Sequence, residues 1–174
     1  MDIIFAIIVL TLGLLFLKWA MSLAPWVPTK KEAIKRLSQV IDIKPSENYL
    51  ELGSWDGRVI LSLAEKYPDS YFYWVEIVPY LCFIWRIRQY FLGLKNTKLT
   101  LWNALKMNYS HYQHIFIFWL PETIEKKVLP KFESEATIWT KLYSYAFSFP
   151  QSVSSQVESL WGPWVQKIHI YTKK

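Results

Sequence analysis

Residues 49–58 read Tyr-Leu-Glu-Leu-Gly-Ser-Trp-Asp-Gly-Arg, a short apolar strand that ends on an acid and runs into a glycine turn. About 20 residues later, Tyr71-Phe72-Tyr73-Trp74-Val75-Glu76 forms a second strand that also ends on an acid. Between them, Val59, Ile60, Leu63 and Ala64 recur with helical spacing. A strand–turn–helix–strand unit of this kind confines the chain to an α/β sheet and puts both acids at carboxyl ends of strands, where such sheets bind ligands. Glycines let the turn approach a ligand closely, and the second acid suits two vicinal ribose hydroxyls. A dinucleotide loop needs Gly-x-Gly-x-x-Gly to set backbone N–H groups on a pyrophosphate. This loop has only Gly53 and Gly57, after Glu51. A carboxylate there repels phosphate and suits a ligand that carries an ammonium and a sulfonium. The loop therefore points to S-adenosylmethionine.

The rest of the chain continues the alternation. Strands are expected at Tyr49–Leu52, Tyr71–Glu76, Lys98–Trp102, His114–Trp119, Thr137–Tyr145 and Val165–Thr172. Helices are expected from Gly57 to Tyr67, from Pro79 to Gly93 and from Pro121 to about Leu129. The Ser-rich stretch Gln151–Ser159 reads as a loop or short helix. Thr29-Lys30-Lys31-Glu32 fits a capping box with Thr29 as N-cap, ahead of a helix whose Ala33, Ile34, Leu37, Val40 and Ile41 share one face. These elements predict a mostly parallel, Rossmann-like sheet with helices on both faces, occupying 25–174.

Ahead of that domain, Ile3 to Leu17 is apolar apart from Thr11 and Gly13, and the run resumes from Trp19 to Leu23 after Lys18. Counted through Lys18, it is about 21 residues, or roughly 30 Å of helix, and predicts a transmembrane anchor over 1–24. No Lys or Arg precedes it, whereas Lys18, Lys30, Lys31, Lys35 and Arg36 follow. The positive-inside rule then places a single-pass protein with its domain in the cytoplasm, attached to the membrane through the N-terminal helix. Cys82 is the only cysteine, which excludes an intrachain disulfide. The three histidines lack cysteine partners at zinc spacing, and no metal is expected. A formal net charge of +6 comes without a basic arm or an aromatic–basic repeat, so no nucleic-acid partner is expected.

The strand ends gather the candidate ligand residues: Glu51, Gly53, Ser54, Asp56 and Gly57 after the first strand, Glu76 after the second, Asn103 after the third, and Trp119-Leu120-Pro121-Glu122 after the fourth. Asn103 offers an oxygen for an adenine amino group. With Pro25-Trp26-Val27-Pro28-Thr29, Glu51-Leu52-Gly53-Ser54-Trp55-Asp56-Gly57-Arg58, Val75-Glu76-Ile77-Val78-Pro79-Tyr80, Phe118-Trp119-Leu120-Pro121 and Phe147-Ser148-Phe149-Pro150, the chain resembles the class I S-adenosylmethionine-dependent methyltransferases. More narrowly, it resembles the small archaeal and membrane-anchored mitochondrial protein-lysine methyltransferases. The resemblance implies that Thr29, Glu51, Gly53, Ser54, Asp56, Gly57, Glu76 and Asn103 hold the cofactor. It implies that Trp119, Pro121, Glu122, Tyr145 and Phe147 border the acceptor pocket, and that the acceptor is a lysine of a membrane-associated protein. Trp55 stands where the family has glycine, Asn103 where it usually has Asp, and Ala146 where relatives carry a polar residue. A lipid or small-molecule acceptor is the alternative within the same fold. A tethered nucleoside-binding module without activity is the alternative outside enzymology, with Trp55 closing the pocket.

Overall fold

The structure is a computed structural model that describes residues 2–20, 29, 31–53, 55, 57–162 and 165–174. Among the described residues, seven strands form one sheet: β1 (Asn48–Leu52), β2 (Tyr71–Glu76), β3 (Thr97–Leu101), β4 (His114–Ile117), β5 (Lys141–Tyr145), β6 (Val157–Gly162) and β7 (Val165–Thr172). Their spatial order is β3-β2-β1-β4-β5-β7-β6. The first five strands pair in parallel, and β7 runs antiparallel to both of its neighbours. From β1 the chain builds outward to β2 and β3, then crosses back to place β4 on the other side of β1. The direction of winding thus reverses between β1 and β4, and it is outside the carboxyl ends at such a reversal that open α/β sheets bind ligands.

The central strands β1, β2, β4 and β5 are buried on both faces, as parallel strands with crossover helices must be. Side chains alternate between two cores. Tyr49, Phe72, Trp74, Phe116, Tyr143 and Ile168 pack beneath α2 (Lys31–Val40), α3 (Arg58–Lys66) and α4 (Pro79–Leu92). Leu50, Leu52, Val75, Ile115, Ile117 and Leu142 pack on the opposite face. There they meet a helical run made of α5 (Pro121–Thr123), a π-helical turn (Ile124–Val128) and α6 (Leu129–Glu135). Pro79 opens α4 at its first turn, where a missing N–H leaves no bond unmade.

The bounds of β2 and β7 match the expectation from sequence. Elsewhere the ends shift. β5 begins at Lys141, because Thr137 and Thr140 bond each other through their hydroxyls, 3.1 Å apart, in a turn before it. The Ser-rich stretch gives a 3-10 helix at Gln151–Gln156 and then the start of β6, an edge strand hidden because its first residues fall in that stretch. α2 is described from Lys31, and the capping box expected at Thr29 turns on Lys30, which lies outside the described residues.

The expectation of a single-pass membrane protein is corrected. α1 spans Asp2–Ala20, and among the described residues no helix is long and apolar enough to cross a membrane. The expected span counted onward through Lys18 to Leu23, and its last three residues, 21–23, lie outside the described residues. Between the charged residues Asp2 and Lys18, the stretch Ile3 to Leu17 rises only about 22 Å as helix. A hydrocarbon core of ~30 Å is wider than that. The assigned topology, with the amino terminus outside and the domain in the cytoplasm, loses its basis with the span.

Candidate functional site

The loop from β1 into α3 is built on left-handed backbone. Gly53 has φ 74°, Gly57 φ 68°, and Trp55 between them φ 52°. Both glycines are also crowded. A Cβ on Gly53 would sit 3.1 Å from the indole nitrogen of Trp119, and a Cβ on Gly57 would fall within the Trp85 indole. The loop therefore lies clamped between an indole from the end of β4 and an indole from α4. Trp55 holds a conformation that costs an L-residue about 1–2 kcal/mol. Ser54 and Asp56, expected to contact the cofactor, lie outside the described residues.

Glu51 is buried and has a structural task. Gly57 is the N-cap of α3 and offers no side chain to the first turn. The Glu51 carboxylate reaches from β1 to accept the Ile60 N–H at 3.1 Å, in the third helical position. A negative group there also suits the helix dipole. Sequence reasoning assigned this acid to the ligand and missed its second role, because a cap supplied from another element leaves no local motif.

Glu76 closes β2 in a comparable way. Its Oε1 accepts the N–H groups of Ile77 at 2.8 Å and Val78 at 3.0 Å, and the carboxylate also accepts from the Trp55 backbone. Burial raises its pKa and these three donors lower it, with burial prevailing. One carboxylate thus ties the β1 loop to the β2 loop. A carboxylate has about four lone-pair sites, so one remains for a hydroxyl. Beside it, Trp102 N–H donates to the Glu76 carbonyl at 3.0 Å, fixing the start of the segment that carries Asn103. The Asn103 Oδ1 accepts from Leu105 N–H at 2.9 Å and caps the 3-10 turn Ala104–Lys106. Its oxygen therefore has one lone pair left for an adenine amino group. Thr29 meets the site through its backbone: Arg58 donates from Nη1 to the Thr29 carbonyl at 3.2 Å, which joins the entry to α2 to the start of α3. Arg58 appeared in the sequence only as part of a motif, and this tether is a feature that sequence reasoning missed.

The residues expected at the acceptor pocket are partly brought together. Tyr145, at the end of β5, and Phe147 both pack on Phe118, with ring centroids 5.1 Å and 5.8 Å away. Phe118 was not singled out, although its place one residue past β4 marks it as a strand-end residue. Burial raises the Tyr145 pKa. The turn holding Phe147 is set by Ala146 at φ 69°, by Ala146 N–H donating to Lys167 carbonyl, and by the Ser144 hydroxyl donating to Phe147 carbonyl at 2.7 Å. Trp119 packs with the other core and covers Gly53. Pro121 occupies the first turn of α5. Glu122 is exposed and pairs with Lys126 at 2.7 Å, one turn along the same helical run. Lys126 holds its carboxyl below the usual range. Glu122 thus serves the helix surface.

No protein-family model matches this sequence, and no curated protein matches it. Solved structures do. An RNA methyltransferase from Salinibacter ruber, in complex with S-adenosyl-L-homocysteine, superposes with a TM-score of 0.74 at 20% identity, over 84% of this chain and 93% of that one. This chain has the class I methyltransferase fold. A putative methyltransferase from Escherichia coli gives 0.69 at 12% identity, over 87% and 90% of the two chains. A putative caffeoyl-CoA O-methyltransferase from Staphylococcus aureus gives 0.65 at 14% identity, over 87% and 86%. Identities this low establish the fold that the methyltransferases share. The narrower resemblance to protein-lysine methyltransferases continues to rest on the sequence motifs alone.

Proposed function

We propose that this chain is an S-adenosylmethionine-dependent methyltransferase that acts on the side-chain amine of a protein lysine. The observation that carries the reading is the geometry at the winding reversal. Two buried acids and a clamped two-glycine loop sit at neighbouring strand ends, beside an aromatic cluster from β4 and β5. The residues present suit the cofactor. Glu76 keeps a lone-pair site for ribose, and Glu51 places negative charge under the loop. When bound, the cofactor supplies a methyl group activated on a sulfonium. Solved relatives of this fold carry S-adenosylmethionine or its demethylated product, which supports the assignment.

This chain's own residues would orient the acceptor and exclude water. A free lysine amine has a pKa of about 10.4, so roughly one in 2,500 is neutral at pH 7. Desolvation against Phe118, Tyr145 and Phe147 raises that fraction, and the ring faces attract the ammonium on entry. No side chain needs to form a covalent bond; alignment for in-line transfer is the main contribution. The competing reading is an RNA acceptor, favoured by the net charge of +6 and by the Salinibacter structure. Incubation of the purified chain with methyl-labelled S-adenosylmethionine and cell extract separates the two. The proposal expects protease-sensitive label recovered as methyl-lysine. Label removed by ribonuclease, or extracted with lipid, would overturn it.

A further inference from the structure

We infer that α4 is the self-association surface of this protein and pairs antiparallel with α4 of a second copy. Its inner side buries Leu81, Cys82 and Trp85 against the sheet. Its outer side is also apolar: Tyr80, Phe83, Ile84, Ile87, Tyr90 and Phe91 are 42–83% exposed. They occupy positions i, i+3, i+4, i+7, i+10 and i+11, one continuous stripe over three turns. A helix that is apolar on both sides is built to be covered on both. At 150–250 Å² per aromatic side chain, the four aromatics offer roughly 550 Å². With the two isoleucines the stripe reaches about 700 Å², close to the ~800 Å² that each partner contributes to a standard interface.

With a second copy on this surface, charge and register select the antiparallel orientation. Arg86 and Arg88 edge the stripe, and α4 has no acid. Parallel pairing would set each arginine near its own copy. A two-fold axis between Ile84 and Ile87 instead sets Ile84 on Ile87, Tyr80 on Phe91, and Arg88 beside Phe83, a favourable cation–π neighbour. The pairing bears on the cofactor loop, because the inner face of the same helix carries Trp85, which underlies Gly57.

Sedimentation equilibrium of the full chain tests this inference, independently of any methyl transfer. The expected result is a species of twice the chain mass that dissociates on dilution. Ile84→Glu and Phe91→Glu should each weaken it at least tenfold, while Tyr71→Glu, an exposed residue on β2, leaves it unchanged. Circular dichroism confirms that the variants fold. A monomer at all concentrations would overturn the inference. So would an oligomer that survives both stripe substitutions, or variants whose only defect is lost binding to phosphatidylserine vesicles.

Discussion

Gly57 and Gly93 share a backbone conformation, with φ 68° and 64°, but differ in what a side chain would meet. Nothing lies within 4 Å of a Cβ at Gly93, whereas at Gly57 it enters the indole of Trp85, itself buried beside Trp74. Gly93→Ala therefore carries only the backbone penalty of about 1–2 kcal/mol, offset by about 0.4–1 kcal/mol from a less flexible unfolded chain. Gly57→Ala adds overpacking of about 1–3 kcal/mol. We expect it to destabilise by about 2–4 kcal/mol, against about 1 kcal/mol for Gly93→Ala. For a chain of this length that is a drop of roughly 5–15 °C in Tm. Urea unfolding of both variants, with and without Trp85→Leu, provides the assay. In the Trp85→Leu background the Gly57→Ala effect should shrink to the Gly93→Ala value, a coupling that isolates the indole contact. Equal effects at the two glycines, or no coupling to position 85, would refute the clamped-loop account.

Other consequences concern pH and charge. His114 lies at the opposite end of the sheet, with Nε2 2.9 Å from Glu47 and Nδ1 3.0 Å from the Tyr143 hydroxyl, and burial lowers its pKa despite Glu47. The folded state then binds fewer protons than the unfolded one, so stability should be full above about pH 6.5 and decline below it toward the folded pKa. His114→Gln should flatten that decline in urea midpoints measured between pH 7.5 and 5.5; an unchanged slope would remove His114 as its source. Glu122→Gln should leave methyl transfer unchanged, because the acid is exposed and paired with Lys126; a large fall in kcat would return it to the acceptor site.

Much of the architecture was legible because it rests on local rules. Pro79 and Gly93 bracket α4, and the β2 acid marks where the strand stops. What escaped was set by contacts between distant elements. β6, Val157–Gly162, begins inside the stretch that its Ser-rich start marked as a loop, and forms by pairing with β7. Glu51 looked like a ligand group and also caps α3. Glu122 looked like a pocket acid by proximity in sequence, but the helix turns it to solvent. The apolar N-terminal run looked like a membrane span because Lys18 was counted through, whereas among the described residues no helix is long and apolar enough to cross a membrane.

The central claim is that the acids and the glycine loop form a working cofactor site. Calorimetric titration of the purified chain with S-adenosylmethionine tests it most directly. The account predicts one site per chain, weakened in Glu76→Ala by about 1.5–3 kcal/mol, the value of a hydrogen bond to a charged group. It also predicts that Trp55→Gly, which relieves the strain at φ 52°, binds no more tightly than the natural chain. A natural chain that binds nothing, beside a Trp55→Gly variant that binds, would show that the indole fills the pocket and that the fold has been kept without the chemistry.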